Sequence, residues 1–309
     1  MDAGRHPLIE VVTNAEVVGC DGAAGDFRVR IRKHPRYVRE DLCVACGRCA
    51  DACPLAVKRK DFDTTLKPRR AIYRPFPQSV PAAYVIDDSA CRLKCALCVK
   101  ACDVGAVDLT MRPEEIEREA GAILLAVGFR EFDARKLGRY GYGRWPDVIT
   151  SLELERMLNA SGPTDGHVIR PSDRTTPKRI VFVQCVGARG EGGRDYCSRF
   201  CCMNAVKDSL LVRQHDPGIE DVTILYTDIR AFGRGFDDFV ERSRREQSAT
   251  YIRGRPAKID LLPDRRTLEV FVEDTIARKP LRLPADLVVL SVAAAPSDRA
   301  MQLAQLLGV

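Results

Sequence analysis

Aromatic residues are scarce in this 309-residue chain, at 6% with a single Trp. That removes the row of stacking platforms on which single-stranded nucleic acid is held. Histidine is rarer still: His6, His34, His167 and His215 are isolated from one another in sequence and read as surface or core residues, not ligands. No apolar run approaches the roughly 20 residues that cross a bilayer. The longest, Gly121–Phe129 and Ala285–Ala295, are about half that length. The opening MDAGRHPLIE lacks the apolar core of a secretory signal. Neither G-x-x-x-x-G-K-[ST] nor G-x-S-x-G occurs. A soluble, cytoplasmic chain without a membrane span is expected. At 45% hydrophobic and 30% charged residues it is too apolar for a disordered segment, and long enough for one large or two modest domains.

Cysteine is abundant instead, with thirteen. Without a secretion signal a disulfide framework is the weaker reading, because thiols in a reducing compartment stay reduced unless they are catalytic or bind metal. The positions are clustered. Cys43, Cys46, Cys49, Cys53, Cys91, Cys95, Cys98 and Cys102 form one group, Cys185, Cys197, Cys201 and Cys202 a second, and Cys20 stands alone as a small hydrophobe expected to be buried. The net charge is +6, and the stretch from Cys43 to Cys102 holds 11 Lys/Arg against 5 Asp/Glu. A thiolate-held iron–sulfur cube carries about −2 when oxidised, so two of them would cancel much of that surplus. No helix-turn-helix, RNP or zinc-finger spacing accompanies the charge, and no nucleic-acid partner is expected.

Residues 9–31 largely alternate apolar and polar and read as a β-hairpin or meander, with Ile9, Val11, Ala15 and Val17 on one strand face and Phe27, Val29 and Ile31 on another. The cysteine-rich unit follows, and the prolines of its middle, PRRAIYRPFPQSVP, forbid regular helix. PEEIEREA, with Pro113 at its first position and acidic residues in its first turn, predicts a short helix. GAILLAVGF predicts a buried strand. SLELERMLNASG predicts a helix capped by Ser151 and stopped by Gly162. Next, KRIVFVQCVG (strand), residues 198–214 (helix) and DVTILYTDI (strand) form a βαβ pattern. FDDFVERSRREQS reads as helix, and ATYIRGR, AKIDLLP, TLEVFVED and ADLVVLSV as short strands. Strands alternating with helices argue for an open α/β sheet. Gly233-Arg234-Gly235 reads as a turn.

The strongest chemical signal is Cys43-x2-Cys46-x2-Cys49-x3-Cys53-Pro54, the bacterial ferredoxin run. Three cysteines hold one [4Fe–4S] cube and the fourth reaches its neighbour. A near copy, Cys91-x3-Cys95-x2-Cys98-x3-Cys102, carries one extra residue in its first gap. The two runs fit a crossed pair of cubes: Cys43, Cys46, Cys49 and Cys102 for one, Cys91, Cys95, Cys98 and Cys53 for the other. Structural zinc also uses C-x2-C units but asks for neither the fourth cysteine nor the proline. The later group, Cys185-x11-Cys197-x3-Cys201-Cys202, occupies a strand-to-helix turn where a dinucleotide-binding unit would carry G-x-G-x-x-G. Its glycines are in the wrong register, and spacing alone leaves three readings open: a metal cluster, a C-x3-C dithiol, or packing.

These residues resemble a family, the A subunits of the soluble heterodisulfide reductases and their bacterial relatives. The resemblance is carried along the chain by IRKHPRYV, CVACGRCADACP, RRAIYRPFPQSVP, GAILLAVGF, YGYGRWPDVITSLELERMLNASGPT, RIVFVQCVGAR, YCSRFCCMNAVK, DIRAFGRGF and YIRGR. It implies an iron–sulfur flavoprotein that takes electrons from an iron–sulfur subunit of a hydrogenase or formate dehydrogenase and bifurcates them at FAD, alongside B and C subunits. It implies a thioredoxin-reductase-like α/β fold with Rossmann-type sheets and an inserted two-cluster ferredoxin domain. It also implies a third [4Fe–4S] site at Cys185, Cys197, Cys201 and Cys202. On that pattern residues 1–34 are flavin-domain strands, 35–112 the ferredoxin domain, 113–130 a returning flavin-domain strand, 131–284 a nucleotide-binding-like domain and 285–309 a second returning strand. The sequence departs from the family where the FAD fingerprint and the last ferredoxin domain would stand, where A-T-G-F is Ala126-Val127-Gly128-Phe129, and where the glycine after LVVLSV is Ala293. It therefore reads as the family's central portion, a split or truncated product paired with a missing flavin half. No FAD contact is assignable to it, and no side chain is assigned as acid, base or nucleophile.

Overall fold

Opposite charges facing one another across strands build the first sheet. In the computed structural model, which describes residues 3–58, 66–190, 192–246 and 249–309, β1 (Ala15–Ala23) and β2 (Asp26–Lys33) form the hairpin expected from the alternation. Ile9 and Val11 precede it, outside the ladder. Cys20, expected to be buried, is half-buried opposite Val29. Residues 114–120, expected as a helix, are instead the third strand of this sheet. The reason is legible in the register: Arg28 faces Glu119, Arg30 faces Glu117, Arg32 faces Glu115 and Lys33 faces Glu114. Four opposite-charge pairs, each contributing about 0.2–1 kcal/mol, outweigh a weak helix start of eight residues.

Two very short helices carry the cysteine runs in the same compact unit: α1 (Arg48–Asp51) and α2 (Leu97–Lys100). Among the described residues between them lie only two-residue strands, β3 (Ala56–Val57) with β4 (Arg69–Arg70) and β5 (Ile72–Tyr73) with β6 (Val85–Ile86). The third strand of the hairpin sheet is β7 (Glu114–Ala120). This unit comprises residues 1–59, 68–128 and 296–309, and its last element is a helix, Asp298–Leu307, capped by Ser297. Residues 121–128, expected as the bulk of a buried strand, have no ladder partner among the described residues, and Leu124 is 92% exposed. An apolar run becomes a strand only where neighbouring strands take up its N–H and C=O groups, and no described strand does so here.

The second unit, residues 60–67 and 129–295, is a three-layer α/β domain. β8 (Arg130–Glu131) leads through a turn-rich stretch to β9 (Val148–Thr150) and α3 (Ser151–Leu158). β10 (Arg179–Val186), α4 (Cys201–His215) and β11 (Asp221–Tyr226) give the expected βαβ unit, and α5 (Phe236–Arg245) leads to β12 (Thr250–Arg253). The end of the predicted FDDFVERSRREQS helix, Gln247 and Ser248, lies outside the described residues. A meander of β13 (Pro256–Leu261), β14 (Leu268–Asp274) and β15 (Lys279–Ala285) returns to β16 (Leu287–Val292) and β17 (Ala294–Ala295). The main sheet is parallel, in the order β12-β11-β10-β16-β9. Leu287–Val292, expected to return to a flavin domain, thus lies inside this sheet, because its uninterrupted apolar residues find parallel neighbours on both sides.

The two-residue period of β10 sorts the core. Val181 and Val183 face the meander, packed with Ile259, Val270 and Leu290. Ile180 and Phe182 face the helices, packed with Leu154, Met157 and Val212. Phe182 is fully buried. α3 starts one residue earlier than Ser151 would set it. Thr150, extended at the end of β9, accepts the Glu153 amide at 3.3 Å while Glu153 accepts the Thr150 amide at 2.7 Å, a reciprocal cap.

Candidate metal centres

The two ferredoxin runs fold alike because both use the same backbone device. Ala45 and Gly47 flank Cys46 with φ of 56° and 93°, and Leu93 and Ala96 flank the second run's Cys95 with φ of 55° and 52°. These left-handed residues curl each loop, so that Cys49 and Cys98 enter α1 and α2 and are buried. Lys94, the one extra residue of the second run, falls between Leu93 and Cys95 and points to solvent. The insertion is absorbed where nothing packs.

Each run's first three thiols share a cavity with the other run's last. One cavity is lined by Cys43, Cys46, Cys49 and Cys102 together with Val38, Val44, Tyr84 and Val104. The other is lined by Cys91, Cys95, Cys98 and Cys53 together with Leu55, Ile72, Ile86 and Leu97. Arg48 of α1 pairs with Asp103, the residue after Cys102, which ties the runs together at the first cavity. Burial pushes the Cys49 thiol up to about 12, with Cys43, Cys102 and Cys46 adding to the shift, and burial raises Cys98 likewise. Backbone N–H groups already aim at sulfur: Leu93 at Cys91 (3.4 Å) and Ala106 at Cys102 (3.2 Å). A buried thiol crowded by other thiols stays protonated unless a cation takes the place of its proton, which is what iron does.

The third group gathers at the carboxyl edge of the parallel sheet. Cys185 sits on a bulge of β10, at φ 62°, where Val183 pairs with Leu290 but Val186 with Val292. Cys201 and Cys202 open α4, and the Arg199 amide donates to Cys197 at 3.3 Å. Cys185, Cys201 and Cys202 are buried and Cys197 is half-buried. Burial and then the neighbouring thiols lift Cys201 to about 12; burial, with Cys185 and Cys197, lifts Cys202 to about 11. Glycine is required at 187: φ is 69°, and a Cβ would stand 2.2 Å from the Phe132 ring that walls this site. That ring and the four thiols occupy the turn that a pyrophosphate would need, so the residues after β10 do not fit FAD or another dinucleotide.

Among the described residues no three His, Cys, Asp or Glu side chains converge on a point suited to one metal ion. The histidines are engaged elsewhere, His34 with Glu16 at 3.1 Å, His167 with Asp216 at 3.0 Å and His215 with the Gly166 carbonyl at 2.7 Å. Gly235 of the AFGRGF turn caps α5. Sequence reasoning missed the charged groups beside the thiols. Arg189, Asp228 and Arg230 border the third site, and Lys207 bridges Glu155 and the fully buried Asp208, whose carboxyl is raised by burial and by Glu155. Their only sequence signal was position: Arg189 follows the β10 strand end and Asp228 the β11 strand end.

A 4Fe-4S binding domain family matches residues 36–57, the first run. The whole chain is 48% identical over 310 residues to the iron–sulfur A subunit of the CoB–CoM heterodisulfide reductase of Methanocaldococcus jannaschii, covering 47% of that protein. It is 47% identical over 310 residues to the A subunit of the H2:CoB-CoM heterodisulfide,ferredoxin reductase of Methanothermobacter thermautotrophicus, covering 46% of it. A solved thioredoxin reductase of Lactococcus lactis aligns with 78% of this chain and 68% of its own at 13% identity and a TM-score of 0.36. No helix is long and apolar enough to cross a membrane among the described residues. Along its whole length the chain is similar to CoB–CoM heterodisulfide reductase iron–sulfur A subunits, and it spans about half the length of the curated relatives it matches.

Proposed function

We propose that this chain is an electron-transfer part of a heterodisulfide-reductase-type oxidoreductase, carrying three [4Fe–4S] clusters. Cys43, Cys46, Cys49 and Cys102 hold the first, Cys91, Cys95, Cys98 and Cys53 the second, and Cys185, Cys197, Cys201 and Cys202 the third. The observation that carries the reading is the crossed lining of the two ferredoxin cavities, each closed by the other run's fourth cysteine. A single zinc ion would draw four sulfurs to about 2.3 Å from one point; these thiols ring a cavity instead. When bound, the clusters supply one-electron redox chemistry. The chain's own part is to bury the sulfurs, to aim amide N–H groups at them, and to keep the two ferredoxin cubes linked by shared runs.

The relatives' names place them in CoB–CoM heterodisulfide reductases, some also with H2, formate or ferredoxin. The matching partners for this chain are the remaining components of such a complex, an iron–sulfur component of a hydrogenase or formate dehydrogenase, and FAD on a flavin half that these residues do not cradle. A stand-alone dithiol oxidoreductase at Cys197 and Cys201 is the lesser reading, since a buried thiol held up to about 12 is a poor nucleophile. Iron and sulfide analysis of anaerobically purified protein separates the two. About twelve irons per chain are expected, four per cube. About eight, with alkylatable Cys197, would leave the third group to dithiol chemistry.

A further inference from the structure

The third thiol group differs from the other two in its neighbours. The ferredoxin cavities are lined by aliphatic side chains and Tyr84. The third site is flanked by a fixed chain of charge. Arg189, four residues past Cys185 and itself left-handed at φ 59°, is pinned by its amide to the Tyr196 carbonyl at 3.2 Å. Its guanidinium reaches the Cys185 sulfur and pairs with Asp228. The other oxygen of Asp228 accepts from Arg230, at 3.1 Å from Nε and 3.0 Å from Nη2. The backbone of the same loop touches the site as well: Cys202 Sγ donates to the Asp228 carbonyl at 3.7 Å, and the Arg230 amide donates to the Cys202 sulfur. One carboxylate therefore pairs with two guanidiniums, of which that of Arg189 also acts on the Cys185 thiol.

We propose that Arg189 and Asp228 are positioning residues that set the reduction potential of the centre held by Cys185, Cys197, Cys201 and Cys202. Adding an electron adds a negative charge, and a cation donating to a ligand sulfur favours the reduced form. Arg189 pulls the potential up. Asp228 limits that pull by neutralising the guanidinium and by holding it in one direction. The inference rests on the reading of a third cluster, and it makes a demand that a merely structural ion pair would not: the two partners act on the potential with opposite sign.

The test is a mediated redox titration of the full chain, loaded anaerobically and poised with dithionite, with each centre followed by EPR. One electron is exchanged between mediator and centre, and no bond is made or broken. Arg189→Gln is expected to lower the third centre's reduction equilibrium about tenfold, about 59 mV for one electron. Asp228→Asn is expected to raise it, Arg189→Lys to keep most of the wild-type value, and the double Arg189→Gln/Asp228→Asn variant to return towards wild type. The two ferredoxin centres, whose linings contain neither residue, serve as internal controls and stay unmoved. Three centres present with both single variants shifting in one direction, or not at all, would overturn this inference and leave the third cluster standing. Should Arg189→Gln fail to load, a wild-type potential in Asp228→Asn alone would overturn it. A wild-type chain with only two centres would overturn both readings.

Discussion

Replacing Cys53 by Ser separates a crossed from an uncrossed pair of cubes, and the double variant with Cys46→Ser makes the answer a count. Cys53 closes the first run in sequence but lines the cavity of Cys91, Cys95 and Cys98, while Cys46 lines the cavity of Cys43, Cys49 and Cys102. In the proposed arrangement each is one of four thiolates around a cube, and a serine oxygen is too hard and too short a donor to take the place of sulfur at iron. With about four irons per cube and three cubes, either single variant should fall from about twelve irons to about eight. If the pairing is crossed, the two changes strike different cubes, and the double variant should keep about four irons, those of the third site. If each run holds its own cube, both changes strike the same one, and the double variant should keep about eight. EPR of the reduced protein gives a second reading: a surviving ferredoxin cube in either single variant should show an isolated signal without the broadening produced by a nearby paramagnetic partner. A double variant with the same iron content as the singles would refute the crossed arrangement.

Three other outcomes follow from the fold. Phe182→Ala empties a fully buried position between the sheet and α4 and should cost about 3–5 kcal/mol in denaturant unfolding; a loss below about 1 kcal/mol would mean the helix-side core is not where stability resides. Burial pushes Glu131 up to about 7, with Glu153 adding to the rise, and its Oε1 is buried without a partner. A carboxyl raised in the folded state contributes stability that is complete below its ordinary pKa of 4.5 and lost as pH rises through about 7, by up to about 3 kcal/mol. Glu131→Gln should flatten that slope, and an unchanged slope in the variant would assign it to another group. Flavin titration followed by fluorescence quenching should show weak FAD binding by this chain alone, and tight one-to-one binding would show a phosphate cradle elsewhere.

The gathering of each cysteine run was legible in the sequence because its spacing is local. Three sulfurs within seven residues leave few backbone paths, and the extra Lys94 changed none of them, since the left-handed turns sit on either side of it. The βαβ core was legible for the same kind of reason: KRIVFVQCVG has one periodicity and one length, and it became β10. What failed was decided at long range. PEEIEREA has the residues of a helix start, and only the arginines of β2, more than eighty positions earlier, make it a strand. GAILLAVGF has the composition of a strand, but composition supplies no neighbours. The charges beside the third site were hidden in a similar way, because Arg189 and Asp228 meet only once β10 and β11 lie side by side.

That meeting explains why thiols stand where they do. In an open parallel sheet the crevice outside the carboxyl ends of the strands is the place to bind a ligand, and it lies where successive strands depart to opposite sides. Here β10 has β11 on one side and β16 on the other. Cys185 ends β10, Asp228 follows β11, and Ala294, after β16, is held by the Ser198 hydroxyl at 2.9 Å and the Tyr196 hydroxyl at 2.8 Å. A dinucleotide fold would place glycines and a bare helix N-terminus in this crevice. This chain places a bulged cysteine, a phenylalanine ring and two cysteines on the first turn of α4, so the edge that would favour a phosphate is filled by thiols, as the proposed third cluster would need. The electropositive helix end survives the change of ligand. Arg189 and Arg230, from the neighbouring strand ends, meet at Asp228 beside these thiols, and backbone amides donate to sulfur here, as Arg199 does to Cys197, just as they do in the ferredoxin loops.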